Sequence, residues 1–198
     1  VCVLAVWSRT PKQVLRWNAR WIIGLCFLFA TLWKFIGGEY LDGSFLHLTF
    51  LLDHRLAMGA FLFGGLDLST LAENRQLFET LQTSGAVLET QQLTTTPRMA
   101  AASVVLSYWT ILIEGLVAAS FLLPVRWLYQ KRDWLLFIFV LTTYTVIPVL
   151  GFGALLMVMG MIQTKSQSIA RLYLGLLISM PIWMPFPQVL FGLIQTLL

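Results

Sequence analysis

The chain has 198 residues, of which 58% are apolar and only 11% charged, with a mean hydropathy of +0.80. A soluble domain carries about 25% charged residues, so this chain is too poor in charge to cover its surface in water and belongs to the membrane class. The formal charge of +4 reads as topology signals spread over short loops rather than as a nucleic-acid-binding face. Cys2 and Cys26 both sit in apolar runs, which excludes a disulfide framework and a metal-ligand spacing.

In chain order, "VCVLAVW" at 1–7 reads as the end of a truncated span, with further chain expected before Val1. Residues 21–36, "WIIGLCFLFATLWKFI", follow the basic stretch "SRTPKQVLRWNAR" and form the first full span. Residues 44–66, "SFLHLTFLLDHRLAMGAFLFGGL", carry Asp53, His54 and Arg55 at their centre. Charge in lipid is costly there, so the segment is expected as one or two amphipathic or re-entrant helices that do not cross. "LAENRQLFETLQTSG" spaces Leu71, Leu77, Phe78 and Leu81 for a short surface helix closed by "TSG". Thr96 is then expected as N-cap and Pro97 as the first helical residue of the next span, 99–123.

Residues 134–162 carry no charge. As one helix they would extend about 43 Å, longer than the bilayer core, so the run is expected to tilt, kink or project. Pro148, followed by Gly151 and Gly153, is the expected kink. Residues 172–198 form a last uncharged span, bent around "PIWMPFPQ" with Pro181, Pro185 and Pro187. The eight tryptophans and five tyrosines suit the water–lipid boundary.

Orientation follows from the loops. Residues 8–20 hold Arg9, Lys12, Arg16 and Arg20 without an acid, and 125–133 hold Arg126, Lys131 and Arg132 against Asp133. Residues 38–97 hold Arg55 and Arg75 against Glu39, Asp42, Asp53, Asp67, Glu73, Glu79 and Glu89. The positive-inside rule places 8–20 and 125–133 in the cytoplasm and 38–97 outside, as an extracytoplasmic insertion. The expected fold is thus all-α: a polytopic transmembrane helix bundle with a small extracytoplasmic helical cap.

Few residues carry chemistry. Glu114 falls near the middle of its span, sixteen residues after Arg98 and twelve before Arg126. A carboxylate at that depth is protonated or paired: either it handles protons or binds a ligand, or it is a neutral acid in an interhelical hydrogen bond. Lys34 lies at the lip of its span, where a lysine ordinarily snorkels to the interface; the sharper reading is a desolvated amine acting as a base. Asp42, His47, Asp53, His54 and Arg55 gather in the insertion. Neighbours on a helix point about 100° apart, so Asp-His-Arg cannot face one substrate, and a salt-bridge group is the expected role. His47 and His54, seven apart, share a face but are too widely spaced for an i,i+4 metal pair.

Some of these stretches are similar to a known family. "FLFATLWKFIGGEYLDGSF" resembles the lysine-bearing helix of the HTTM (horizontally transferred transmembrane) family, which includes the vitamin K-dependent gamma-carboxylases. "ILIEGLVAASFLLPVRW" and "FGALLMVMGMI" resemble its next two core helices, so the resemblance runs over roughly residues 16–163. DoxX-like quinone-linked membrane proteins share a similar four-helix plan. The resemblance implies that Lys34 aligns with the lysine that deprotonates reduced vitamin K. Two features depart from it. The carboxylase-like histidine of the later helix is absent from "LTTYTVIPVLGFG", and about sixty residues replace a large extracytoplasmic region, so carboxylation of a protein substrate is not expected.

The function expected is an HTTM-like integral membrane protein with an intramembrane polar pocket for a quinone-like or lipid-like amphiphile. Lys34 and Glu114 are the candidate catalytic groups; Asp42, His47, His54 and Tyr144 are candidate ligand contacts. The alternative is a non-catalytic subunit of a membrane complex, with protein partners on 134–162 and 172–198. There Gly151, Gly153, Ala154 and Gly160 permit close helix approach. A transporter with broken helices is a third reading, resting on Pro148 and the prolines between 181 and 187.

Overall fold

The computed structural model describes residues 10–84, 92–147 and 149–183. Among them the fold is all-helical, with no strand. The helices are α1 (Pro11–Gly37), α2 (Ser44–Leu52), α3 (Ala57–Gly64), α4 (Leu68–Ser84), α5 (Pro97–Leu122), α6 (Arg126–Val146), α7 (Leu150–Gln163) and α8 (Gln167–Trp183), with one 3₁₀ turn, His54–Leu56, between α2 and α3. Residues 10–33, 111–147 and 149–183 form one compact unit; 34–84 and 92–110 form the other. The expectations at 1–7, for Cys2, Arg9 and Glu89, and for Pro148, Pro185 and Pro187 lie outside the described residues.

In the first unit α1 is longer than the expected span 21–36. It starts at Pro11, where a proline sacrifices no helical hydrogen bond, and so takes in most of the basic stretch. Ala19, Ile23 and Phe27 are buried on one face, while Trp21, Leu25, Phe29 and Trp33 are exposed on another at four-residue spacing. Both faces are apolar. α5 packs beside α1, with Arg20 Nε donating to the Phe121 carbonyl at 2.7 Å. Phe27 meets Phe139 of α6 edge-on at 4.6 Å, and Phe137 lies against Tyr173 of α8 at 4.5 Å between ring centroids.

The uncharged run 134–162 is not one tilted or kinked helix. α6 ends at Val146 and α7 begins at Leu150, with Ile147 (φ −120°, ψ 91°) and Val149 (φ −119°, ψ 77°) outside the helical region. A proline at 148 explains the stop at Ile147, since its ring disfavours the helical conformation in the residue before it. The chain then folds back. Asp133, at the start of the run, accepts a hydrogen bond from Gln163, at its end. Continuous helix would hold those residues about 45 Å apart. α7 turns into α8 through the short connection at 164–166, and Gly160 of α7 seats the Tyr173 ring, where an added Cβ would collide with it. Pro181 is carried inside the last turns of α8.

In the second unit, where one or two helices were expected over 44–66, the chain forms two short helices and a 3₁₀ turn between them. α2 has nine residues and α3 eight, each about 12–14 Å long, far short of a bilayer core of about 30 Å. Gly43 caps α2 at φ +79°, with Val104 so near that a Cβ would lie 3.0 Å from its Cα. This position needs glycine for both its conformation and its space. Thr96 is the N-cap expected for α5: its Oγ1 accepts from the Met99 N–H at 3.0 Å and donates to the Gly64 carbonyl at 2.7 Å. Asn74, 3% exposed, clamps the segment before α5: its Nδ2 donates to the Thr94 carbonyl and its Oδ1 accepts from the Thr94 N–H, both at 2.8 Å.

Among the described residues two helices, α1 and α5, are long and apolar enough to cross a membrane by length and composition.

Candidate functional site

Glu114 lies in the first unit, on α5, and is 7% exposed. It is engaged with its surroundings. Cys26 of α1 and Tyr144 of α6 are close enough to interact electrostatically with it. The Tyr144 ring sits edge-on to Phe139 at 5.7 Å, and a Cβ on Gly153 would lie 2.8 Å from it. Its hydroxyl is buried with no hydrogen-bond partner among the described residues. Glu114, Cys26 and Tyr144 all lie in the first unit, whose buried apolar core includes Phe27, Val117, Phe139 and Val140. Buried phenols ordinarily find an acceptor; this one offers a donor inside an apolar shell.

Lys34 lies in the second unit, near the end of α1. It is 9% exposed, and its Nζ sits 4.9 Å from the centroid of the Tyr40 ring. The contact is a cation–π pair. The turn that carries Tyr40 follows directly from Gly37 and Gly38, so the aromatic residue after the glycines is what receives the lysine.

The other candidates in the second unit have separate surroundings. Asp42 is exposed and turns the chain into α2, its Oδ1 accepting from the Ser44 N–H at 2.8 Å; hydrogen bonding by the Ser44 side chain, and then by that N–H, holds its carboxyl below the usual carboxylate range. His47 bonds Thr95 Oγ1 through Nε2 at 2.6 Å and lines a cavity of about 470 Å³ with Glu39, Phe45 and Leu93. His54 lines a different cavity of about 620 Å³ with Asp53, Arg75 and Glu79. His47 and His54 do not lie on one continuous helix, because α2 stops at Leu52 and a 3₁₀ turn follows. The salt bridge expected in Asp53–Arg55 is formed, with Arg55 Nη2 donating to Asp53 Oδ2 at 2.6 Å. It draws the Asp53 carboxyl below its ordinary range. Among the described residues no group of three or more His, Cys, Asp or Glu is placed to hold a metal ion.

The basic residues depart from the sequence reading. They are not merely scattered over loops: Arg16, Arg20, Arg132 and Lys165 surround one cavity of about 240 Å³ in the first unit. The i,i+4 spacing of Arg16 and Arg20 put both on one helical face. Nothing in the sequence put Lys165 near them, because the reversal of α7 on α6 brings it there. No protein-family model, curated protein or solved structure matches the chain.

Proposed function

We propose that the chain is a polytopic helical membrane protein, HTTM-like in plan, whose bundle offers a polar site to a quinone-like or lipid-like amphiphile. Support for the membrane setting comes from the inversion of polarity. The stripe Trp21, Leu25, Phe29 and Trp33 is exposed, while Glu114, Ser120, Arg132 and Gln163 are buried. In water an outward apolar stripe of this length would aggregate; in lipid it is the ordinary outer face, and polar groups turn inward. The basic stretches 8–20 and 125–133 would face the cytoplasm and 38–97 the opposite side.

One observation carries the amphiphile site: Glu114 is buried within electrostatic reach of Cys26 and of Tyr144, whose hydroxyl has no hydrogen-bond partner among the described residues. A protonated Glu114 and the Tyr144 hydroxyl are both donors suited to a quinone or ester carbonyl, and the phenylalanine shell suits an apolar ring or chain. Lys34 keeps two roles. As an anchor its charge rests over Tyr40; as the base that the HTTM resemblance implies it would take a proton from a ligand hydroxyl. No reaction is assigned.

Mass spectrometry of small molecules retained by the detergent-purified protein tests this reading. Wild type should retain a quinone or lipid that Glu114→Gln and Tyr144→Phe lose while remaining folded. Equal retention by all three proteins would remove the site from Glu114. The competing reading, a non-catalytic subunit, draws on the same exposed aromatic stripe as a protein contact surface. It predicts stoichiometric protein partners and no specific small molecule.

A further inference from the structure

The cavity ringed by Arg16, Arg20, Arg132 and Lys165 plays no part in the Glu114 site. Its lining holds four basic side chains and no acidic one. None of the four forms a salt bridge with a carboxylate among the described residues. Arg132 is only 7% exposed. Its guanidinium is held over the Tyr129 ring at 4.0 Å, and Arg20 sits over the same ring at 5.0 Å. The ring holds two guanidinium groups at the cavity; Arg20 also spends its Nε–H on the Phe121 carbonyl, whereas Arg132 makes no hydrogen bond among the described residues. The Nε–H groups of Arg132 and of Arg16 are buried without an acceptor, and Gln163, also on the lining, has a buried Oε1 without a donor. The nearest acid in the sequence, Asp133, accepts instead from Gln163 and from the Tyr173 hydroxyl at 2.8 Å.

Buried guanidinium donors without acceptors are costly. Gathered on one cavity and held by the Tyr129 ring, they suit a tetrahedral oxyanion, which guanidinium groups grip through paired N–H donors. The unpaired Oε1 of Gln163 adds an acceptor for a hydroxyl beside that anion. Trp17 lines the same cavity and packs on Trp21 at 5.6 Å, both rings being exposed on α1. Paired tryptophans of this kind mark the headgroup level of a bilayer. We propose that this cavity binds the phosphate headgroup of an anionic phospholipid with free hydroxyls, such as a phosphatidylglycerol, from the cytoplasmic leaflet. The proposal rests on the membrane setting argued above and is independent of the amphiphile site.

The test uses the full chain, purified in detergent and exchanged into nanodiscs of phosphatidylcholine doped with phosphatidylglycerol. Retained lipid is measured by mass spectrometry after mild delipidation, and thermal unfolding is followed with added phosphatidylglycerol, phosphatidylcholine or inorganic phosphate. Wild type should retain phosphatidylglycerol selectively and gain thermal stability from it alone. Each basic group removed should weaken retention about fivefold, in Arg132→Gln and also in Arg16→Gln/Lys165→Gln, whose side chains are less buried and whose loss leaves the helix packing intact. Equal retention of the two lipids by wild type, or undiminished retention by the double variant, would overturn the proposal. A stabilisation matched by inorganic phosphate would overturn it in favour of a soluble phosphate compound. Release of the chain from membranes by alkaline carbonate would instead defeat the membrane setting.

Discussion

Asp133 and Gln163 stand thirty residues apart and share a hydrogen bond. That bond closes the α6–α7 hairpin, and the Tyr173 hydroxyl, donating to the same carboxylate oxygen at 2.8 Å, ties α8 to it. Replacing the carboxylate by an apolar group leaves two buried donors unmatched, at about 1–3 kcal/mol for each group stranded. Asp133→Leu should therefore lower the melting temperature of the detergent-purified protein markedly, and Asp133→Asn much less, because an amide oxygen still accepts. Equal effects of the two would mean that the carboxylate does not organise the hairpin.

Gly160 seats the Tyr173 ring, and a methyl group there collides with it. Overpacking of a tight core contact costs about 1–3 kcal/mol. Gly160→Ala should destabilise by that amount, and Tyr173→Leu should relieve the clash, so that the double variant is less destabilised than the sum of the singles. Strict additivity, measured by thermal unfolding of the four proteins, would place the cost elsewhere.

The second unit hangs on side-chain bonds to the segment just before α5. Thr96→Ala removes the N-cap of α5 and should cost about 1 kcal/mol, with Thr96→Ser restoring most of it. Asn74→Leu strands the Thr94 N–H and carbonyl and should cost more, about 1–3 kcal/mol. Hydrogen exchange of residues 92–99 is the measurement: both substitutions should speed exchange there, and Thr96→Ser should not.

Asp53 has its carboxyl lowered, first by the Arg55 side-chain hydrogen bond and also by the Arg55 N–H. A lowered folded-state pKa means that the pair stabilises above the ordinary carboxylate range, about 4, and that this contribution disappears as pH falls through the folded value. Because Arg55 is half-exposed, the contribution is about 1 kcal/mol or less. The melting-temperature difference between wild type and Asp53→Asn should be constant from pH 5 to 8 and shrink below about pH 4. A difference that grows on acidification would contradict the pairing.

Much of the helical pattern is legible in the sequence. Thr96 with Pro97, the charged break at Asp53–His54–Arg55 and the long apolar runs of α1 and α5 are local signals, and the local chemistry decides them. The reversal between the end of α6 and the start of α7 is harder to read. A proline followed by glycines marks a kink and a hairpin equally well, and only the meeting of Asp133 with Gln163, a contact across thirty residues, separates the two. The basic cavity was hidden for the same reason: Lys165 reaches Arg16, Arg20 and Arg132 through that reversal. Asn74 carried no signal, since an asparagine in a polar helix reads as solvent-facing until the returning chain is known. Glu114 stood out as an acid inside an apolar run, but its neighbours Cys26 and Tyr144 come from two other helices.

The most direct test of the account is the sidedness of single cysteines in sealed membrane vesicles, in a background with the native cysteines replaced by serine. Cysteines at Lys12, Lys131 and Lys165 should all be labelled by an impermeant maleimide from one side, and a cysteine at Glu73 from the other. A cysteine at Lys165 labelled together with that at Glu73, or all four labelled from the same side, would contradict the helical membrane bundle with a reversal between α6 and α7.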